Sequence, residues 1–169
     1  MSDTLRQLVK NNPETIDFVR DYQEKKDLPP AEDIGEVTPG VIPHLLQWDE
    51  RWGYQIYGDN LIAVNGCGPT VISMVAAGLT GDNTITPYKA AKFAEQNGYY
   101  EGDAGTSWAL MTEGAEQFGI HGERQSFPPW KTAVPSYAAW VTGILLPQAT
   151  LSYLSGSKTG RSVSTTRTV

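Results

Sequence analysis

The sequence predicts a helical N-terminal half built round one buried helix, and three observations carry that expectation. An apolar run, Val71-Ile72-Ser73-Met74-Val75-Ala76-Ala77-Gly78-Leu79, follows directly on Asn65-Gly66-Cys67-Gly68-Pro69-Thr70. Pro69 has the fixed φ that suits a first helical turn, so the helix starts at or just before it. Up to Gly119 the chain then alternates capping residues, apolar periodicity and glycine stops.

Taken in order, residues 2–11 and 12–26 read as two short helices. Asn12-Pro13-Glu14 supplies an N-cap, a proline at the first position and an acid in the first turn; Ile16, Phe18, Val19 and Tyr22 supply an apolar face. Residues 1–27 are thus an N-terminal helical appendage. Residues 28–40, with Pro29-Pro30, Pro39-Gly40 and several acids, read as a linker, and the domain proper begins near Val41. In the segment that follows, Trp48, Trp52 and Tyr54 are expected to cover the core. After the central helix, Leu79 to Asn83 is a turn, and Thr86-Pro87 opens a helix running to about Asn97 and closed by Gly98, with Ala90, Ala91, Phe93 and Ala94 inward. Tyr99 to Gly105 is a glycine-rich aromatic loop. Ser107 then caps a further helix carrying Trp108, Leu110, Met111, Ala115 and Phe118, ended by Gly119.

Residues 41–124 form the main unit on this reading, and residues 125–169 differ from it in composition. None of the 19 acidic residues lies beyond Glu123, and residues 150–169 contain ten Ser or Thr. Apart from Val141 to Leu146 no strand pattern appears there, so this tail is expected to be poorly ordered and to lack a paired sheet.

With 169 residues and 40% hydrophobic composition the chain is long and apolar enough for one real core. A net charge of −6 and a pI near 4.8 argue against nucleic acid or an anionic membrane surface as partner. There is no apolar run of membrane-spanning length and no signal-peptide pattern at Met1-Ser2-Asp3-Thr4, so the expectation is a cytoplasmic protein. A single cysteine excludes an internal disulfide. Nothing in the sequence requires a cofactor or a metal, and it leaves the oligomeric state open.

That cysteine, Cys67, has two readings. As structure it is a small buried hydrophobe. As chemistry, flanking glycines keep bulk away from the sulfur, and a helix N-terminus favours thiolate over thiol. Gln47 likewise either packs beside Trp48 and Trp52 or donates a side-chain N–H to a developing oxyanion. His44 reads as a surface or capping histidine rather than a base.

From about residue 42 to 121 the chain resembles the papain-like cysteine peptidases of family 39, which process bacteriocin leaders, and their bacterial relatives. Leu46-Gln47-Trp48-Asp49-Glu50-Arg51-Trp52-Gly53, Gly66-Cys67-Gly68-Pro69-Thr70, Leu79-Thr80-Gly81, Tyr99-Tyr100, Gly105-Thr106-Ser107-Trp108 and Phe118-Gly119 carry the resemblance in order and spacing. It implies a papain-like α+β fold, Cys67 as nucleophile on the central helix, Gln47 as oxyanion donor, and a peptide or protein as substrate. Relatives complete the site with a Gly-His-aromatic strand and a later strand ending in Asn or Asp followed by Pro. This chain has neither, and the resemblance assigns no role to His44 or His121.

Codon degeneracy accounts for the gap. Read one frame over, the codons for Gly143 to Tyr153 permit G-D-F-T-P-A-G-H-F-I-V, and those for Ser157 to Thr168 permit I-K-D-G-K-V-S-V-N-D-P-N. These are the two missing motifs in the family's order. The reading is that a frameshift between about Gly122 and Trp130 replaced the C-terminal third. Three functions stay open: a cysteine peptidase incomplete as written, a non-catalytic papain-like module that binds peptides, and a cell-wall amidase or acyltransferase on the same fold.

Overall fold

The structure, a computed structural model, describes residues 3–124 and the short strand 155–156. At its centre lies α4 (Cys67–Thr80), in which every residue from Gly68 to Gly78 is buried. A helix apolar on all sides has no stable place except inside a protein, and the residues of the main core pack round this one. Pro69 is tolerated in the first turn because its missing N–H would have had no intrahelical partner. Gly81 ends the helix at φ +77°, donating its N–H back to the Ala77 carbonyl at 2.8 Å.

Helix α5 (Pro87–Gln96) lies against α4, with Ala90, Ala91 and Ala94 fully buried and Phe93 half-buried. Its cap is the expected one: Thr86 Oγ1 accepts from the Lys89 N–H at 3.2 Å. Small residues on α5 and at Ala76 and Ala77 allow the two helices a close approach. Gly78 serves the same purpose for a loop, since a Cβ there would stand 2.7 Å from Ile42 Cδ1 and 2.9 Å from the Val41 carbonyl oxygen.

The N-terminal helices α1 (Asp3–Asn11) and α2 (Ile16–Lys25) are joined by a 3-10 turn at Pro13–Thr15. Leu5, Leu8, Phe18 and Val19 form a second apolar cluster with Tyr54, Leu61 and Ala63. Phe18 stacks on Tyr54 with ring centroids 4.1 Å apart, and the Tyr54 hydroxyl donates to the Phe18 carbonyl at 2.9 Å. Two expectations change here. The Asn12 side chain makes no capping bond; instead Thr15 Oγ1 donates to the Asn12 carbonyl at 2.7 Å. Ile16 is 54% exposed, because it stands about 200° round the helix from Phe18 and faces solvent.

Residues 28–40 contain no helix or strand, but they are fastened to the body. Ala31 N–H donates to the Arg51 carbonyl, Ile34 N–H to the Asn83 carbonyl, and Asn83 Nδ2 to the Gly35 carbonyl, all at 2.9–3.0 Å. Ile34 is buried in the main core.

Four short strands complete the architecture, so helix and antiparallel sheet are mixed, in keeping with an α+β class. Strands β1 (Ile56–Tyr57) and β2 (Asn60–Leu61) form a hairpin in which Tyr57 pairs with Asn60. Gly58 takes the first loop position at φ +66°, the place a II′ turn reserves for glycine, and a side chain there would collide with the Tyr100 ring. Strand β3 (Ile120–His121) pairs with β4 (Ser155–Gly156), a two-residue pairing where the sequence predicts none. Main-chain pairing along an open strand edge does not depend on side-chain pattern, which is why composition gave no sign of it. Val141 to Leu146 and the rest of 125–169 lie outside the described residues.

One further expectation is corrected. Residues 108–118 are not one α-helix but two 3-10 segments, Trp108–Met111 and Glu113–Phe118, broken at Thr112. Ser107 makes no side-chain cap and Trp108 is 44% exposed. Thr112 leaves the helical region at φ −114° and ψ −88°, and inside the second segment the bare Cα of Gly114 packs close to the Tyr99 ring, which a Cβ would meet at 3.2 Å. No helix among the described residues is long and apolar enough to cross a membrane.

The stacked Phe18–Tyr54 pair predicts that the N-terminal helices are integral to stability. Phe18→Ala should cost about 3–5 kcal/mol in denaturant unfolding, with loss of one cooperative transition. A cost under about 1 kcal/mol would show instead that residues 1–27 only rest on the domain.

Candidate active site

Cys67 is the first residue of α4, and the single turn α3 (Ile62–Asn65) runs into it through Gly66. Cys67 is partly exposed, and the backbone N–H groups of Gly68 and of Cys67 itself favour its thiolate, as expected of a helix N-terminus. Burial outweighs them: desolvation pushes the Cys67 thiol above its ordinary value. Burial thus opposes the ionisation that the sequence expects of a helix N-terminus. A helix end supplies partial charges, whereas an unpaired anion in a covered site loses much of its hydration.

Gln47 is 8% exposed and lies on the segment leading to the cysteine. Its Nε2 donates to the Ala63 carbonyl at 2.8 Å and reaches the Val64 carbonyl at 3.5 Å. Its Oε1 is buried and has no partner among the described residues. Turning the amide over would set Oε1 against a carbonyl oxygen, so the observed orientation is the one chemistry allows. The segment around Gln47 is held firmly. Trp52 is fully buried, its indole N–H donates to the Leu46 carbonyl at 2.8 Å, and the Arg51 guanidinium lies over its ring at 4.4 Å. Arg51 is in turn forked onto Asp49 at 2.8–3.2 Å. The Trp residues thus take the structural role, while Gln47 braces α3 just ahead of Cys67.

Two groups that sequence reasoning did not single out also converge here. Tyr57 is fully buried, and its hydroxyl shares a 2.8 Å hydrogen bond with Thr106 Oγ1. Burial pushes the Tyr57 phenol up to about 12 against a lowering from Thr106, and the charge of Cys67 adds to the rise. Thr106 in turn covers the first turn of α4, since a Cβ on Gly68 would stand 2.7–2.8 Å from its side-chain atoms. The second group is a clamp on the residue before Gly66. Asn65 Nδ2 donates to Asp59 Oδ1 at 3.0 Å and to the Tyr100 hydroxyl at 3.2 Å, while that hydroxyl donates to Asp59 at 2.5 Å. The Tyr100 hydrogen bond, and then that of Asn65, hold the Asp59 carboxyl below its usual range. The only available signals were Tyr57-Gly58-Asp59-Asn60 as a turn and the threonine in Gly105-Thr106-Ser107.

The main chain at Thr106 is open. Tyr100 and Thr106 form an antiparallel bridge flanked by Glu101 N–H to Gly105 carbonyl at 2.8 Å and Ser107 N–H to Tyr99 carbonyl at 2.7 Å. In that pattern the N–H and C=O of Thr106 itself point away from Tyr100. Neither has a partner among the described residues. Both histidines are exposed, and His121 Nδ1 lies 3.7 Å from a Glu116 oxygen. No protein-family model, curated protein or solved structure matches the chain.

The raised thiol fixes a pH dependence. Above about pH 8.5, the pKa of a thiol in an unfolded chain, the unfolded state releases its proton while folded Cys67 retains it. Stability contributed by the buried neutral thiol is full below that pH and falls as pH rises through the folded value. Chemical denaturation between pH 7 and 10 should show this decline, and Cys67→Ser should flatten it. Iodoacetamide should label folded Cys67 more slowly than glutathione near neutral pH and reach its half-maximal rate at a higher pH than glutathione does; a half-maximal rate at lower pH than glutathione would contradict the assignment.

Proposed function

We propose that this chain carries the nucleophile half of a papain-like cysteine peptidase acting on peptide or protein substrates. The observation that supports it most directly is Cys67 at the first position of a buried helix, where it stays partly exposed. In the reaction the Cys67 thiolate adds to a peptide carbonyl, the carbonyl oxygen becomes an oxyanion, and collapse expels the amine to leave a thioester that water hydrolyses. Gln47 is the side-chain donor for the oxyanion. Its bond to Val64 is long at 3.5 Å, so that hydrogen is the one it can redirect at little cost. The open N–H and C=O of Thr106 offer an extended peptide a strand-like pairing next to the first turn of α4.

The proton is the missing part. A helix end can favour a thiolate but cannot protonate a leaving amine. His44 and His121 are both exposed and take no role in this reading. On the family resemblance the base belongs to a strand encoded by the alternative frame of the tail, so the chain as written is an incomplete enzyme. The raised Cys67 pKa favours a second reading for this form: a non-catalytic module that binds peptides along Thr106.

Comparing two forms of the chain separates these readings. The 169-residue chain should show no peptidase activity, and a chain continued in the alternative frame from about codon 125 should hydrolyse peptides and lose that activity on Cys67→Ala. Hydrolysis that survives Cys67→Ala would eliminate the nucleophile assignment. No hydrolysis by either form, with peptide binding by both, would establish the binding module.

A further inference from the structure

We infer that Tyr57 is a positioning residue for peptide engagement: its buried hydroxyl fixes Thr106, and through Thr106 the distance between the open main chain and Cys67. The inference rests on the peptide reading above and deepens it. Tyr57 has no exposed surface, and its ring stands edge-on to Tyr100 with centroids 4.9 Å apart. Phenylalanine would fill that space as well, so packing alone does not call for the hydroxyl. The hydroxyl makes one bond, to Thr106 Oγ1 at 2.8 Å. Threonine is stiff at χ1, so a bond to its Oγ1 also fixes its Cβ and the direction of its backbone. The same side chain rests on Gly68, where any Cβ would force it away.

The opposite member of the bridge is held in a matching way. Tyr100 is tied through its hydroxyl to Asp59 and Asn65, and Gly58 leaves room for its ring. Each strand of the bridge is therefore anchored by a hydroxyl to the hairpin β1–β2 or to the end of α3. With both anchors in place, the N–H and C=O of Thr106 stand in register with Cys67. Without the Tyr57 bond, Thr106 keeps its contact but loses its fixed rotamer. A peptide pairing there would then present its carbonyl to the sulfur in many geometries rather than one.

The test compares two electrophiles on the full chain at pH 9: an acetyl-tri-alanyl chloromethyl ketone, which needs the peptide pairing, and iodoacetamide, which does not. The quantity read is the ratio of their rates at Cys67, with glutathione as the free-thiol reference. The wild-type ratio should exceed that of glutathione. Tyr57→Phe and Thr106→Val should each lower it by about tenfold, the scale of one lost hydrogen bond, and Thr106→Ser, which keeps the hydroxyl, should retain it. A wild-type ratio equal to that of glutathione overturns the peptide reading and this inference together. A raised wild-type ratio left unchanged in Tyr57→Phe overturns the inference alone. Should Tyr57→Phe fail to fold, the contrast between Thr106→Val and Thr106→Ser decides by the same ratio.

Discussion

Burial of α4 from Gly68 to Gly78 is the constraint on which the elements of the main core depend. From Gly68 to Gly78 no residue is exposed, so α5, the hairpin, the 3-10 segments and the loop at 41–42 are all placed as cover. A helix enclosed along its length can be approached only at an end. At the C-terminal end Gly81 turns the chain away and Gly78 lies under Val41 and Ile42. At the N-terminal end the cover thins, and the partly exposed residue there is Cys67. Packing therefore delivers a sulfur, two backbone N–H groups and a restricted approach to one place.

The same burial sets the electrostatics of that place. The end of the helix and the two N–H groups pull the thiol toward ionisation, and desolvation pulls the other way and prevails. A neighbouring cation or imidazolium would tip this balance by giving the anion a partner. Among the described residues no cation acts on the sulfur. Among the described residues, Gln47 Oε1, Thr70 Oγ1 and Ser73 Oγ are buried oxygens without hydrogen-bond partners. Each is costly to leave unsatisfied, by about 1–3 kcal/mol.

Elements whose signals are local were legible in the sequence. Pro69 with its apolar run placed α4, and Thr86-Pro87 with Gly98 placed α5, because caps and periodicity act within a turn or two. The hairpin was not legible, since its strands are two residues each and too short for a period-two pattern. Residues 108–118 misled because their apolar spacing suits an α-helix, while the backbone departs from helical geometry at Thr112. In the site, Cys67 stood out by its glycines and Gln47 by resemblance. The Tyr57–Thr106 bond could not stand out: it joins residues 49 apart, and neither side chain is distinctive alone. The desolvation that opposes ionisation of Cys67 was not legible for a related reason, as burial is a property of the whole fold.

That separation in sequence also orders events as the chain folds. Helix α4 needs only its own residues and its cap, and local contacts of this kind form early. The hydroxyl clamps do not: Tyr57 reaches Thr106 across 49 residues, Tyr100 reaches Asp59 across 41, and Tyr54 reaches Phe18 across 36. Closing such loops costs entropy before any contact repays it. The helix that bears the sulfur can thus exist before the edges that would guide a peptide to it, and the cleft is among the last features to acquire its shape.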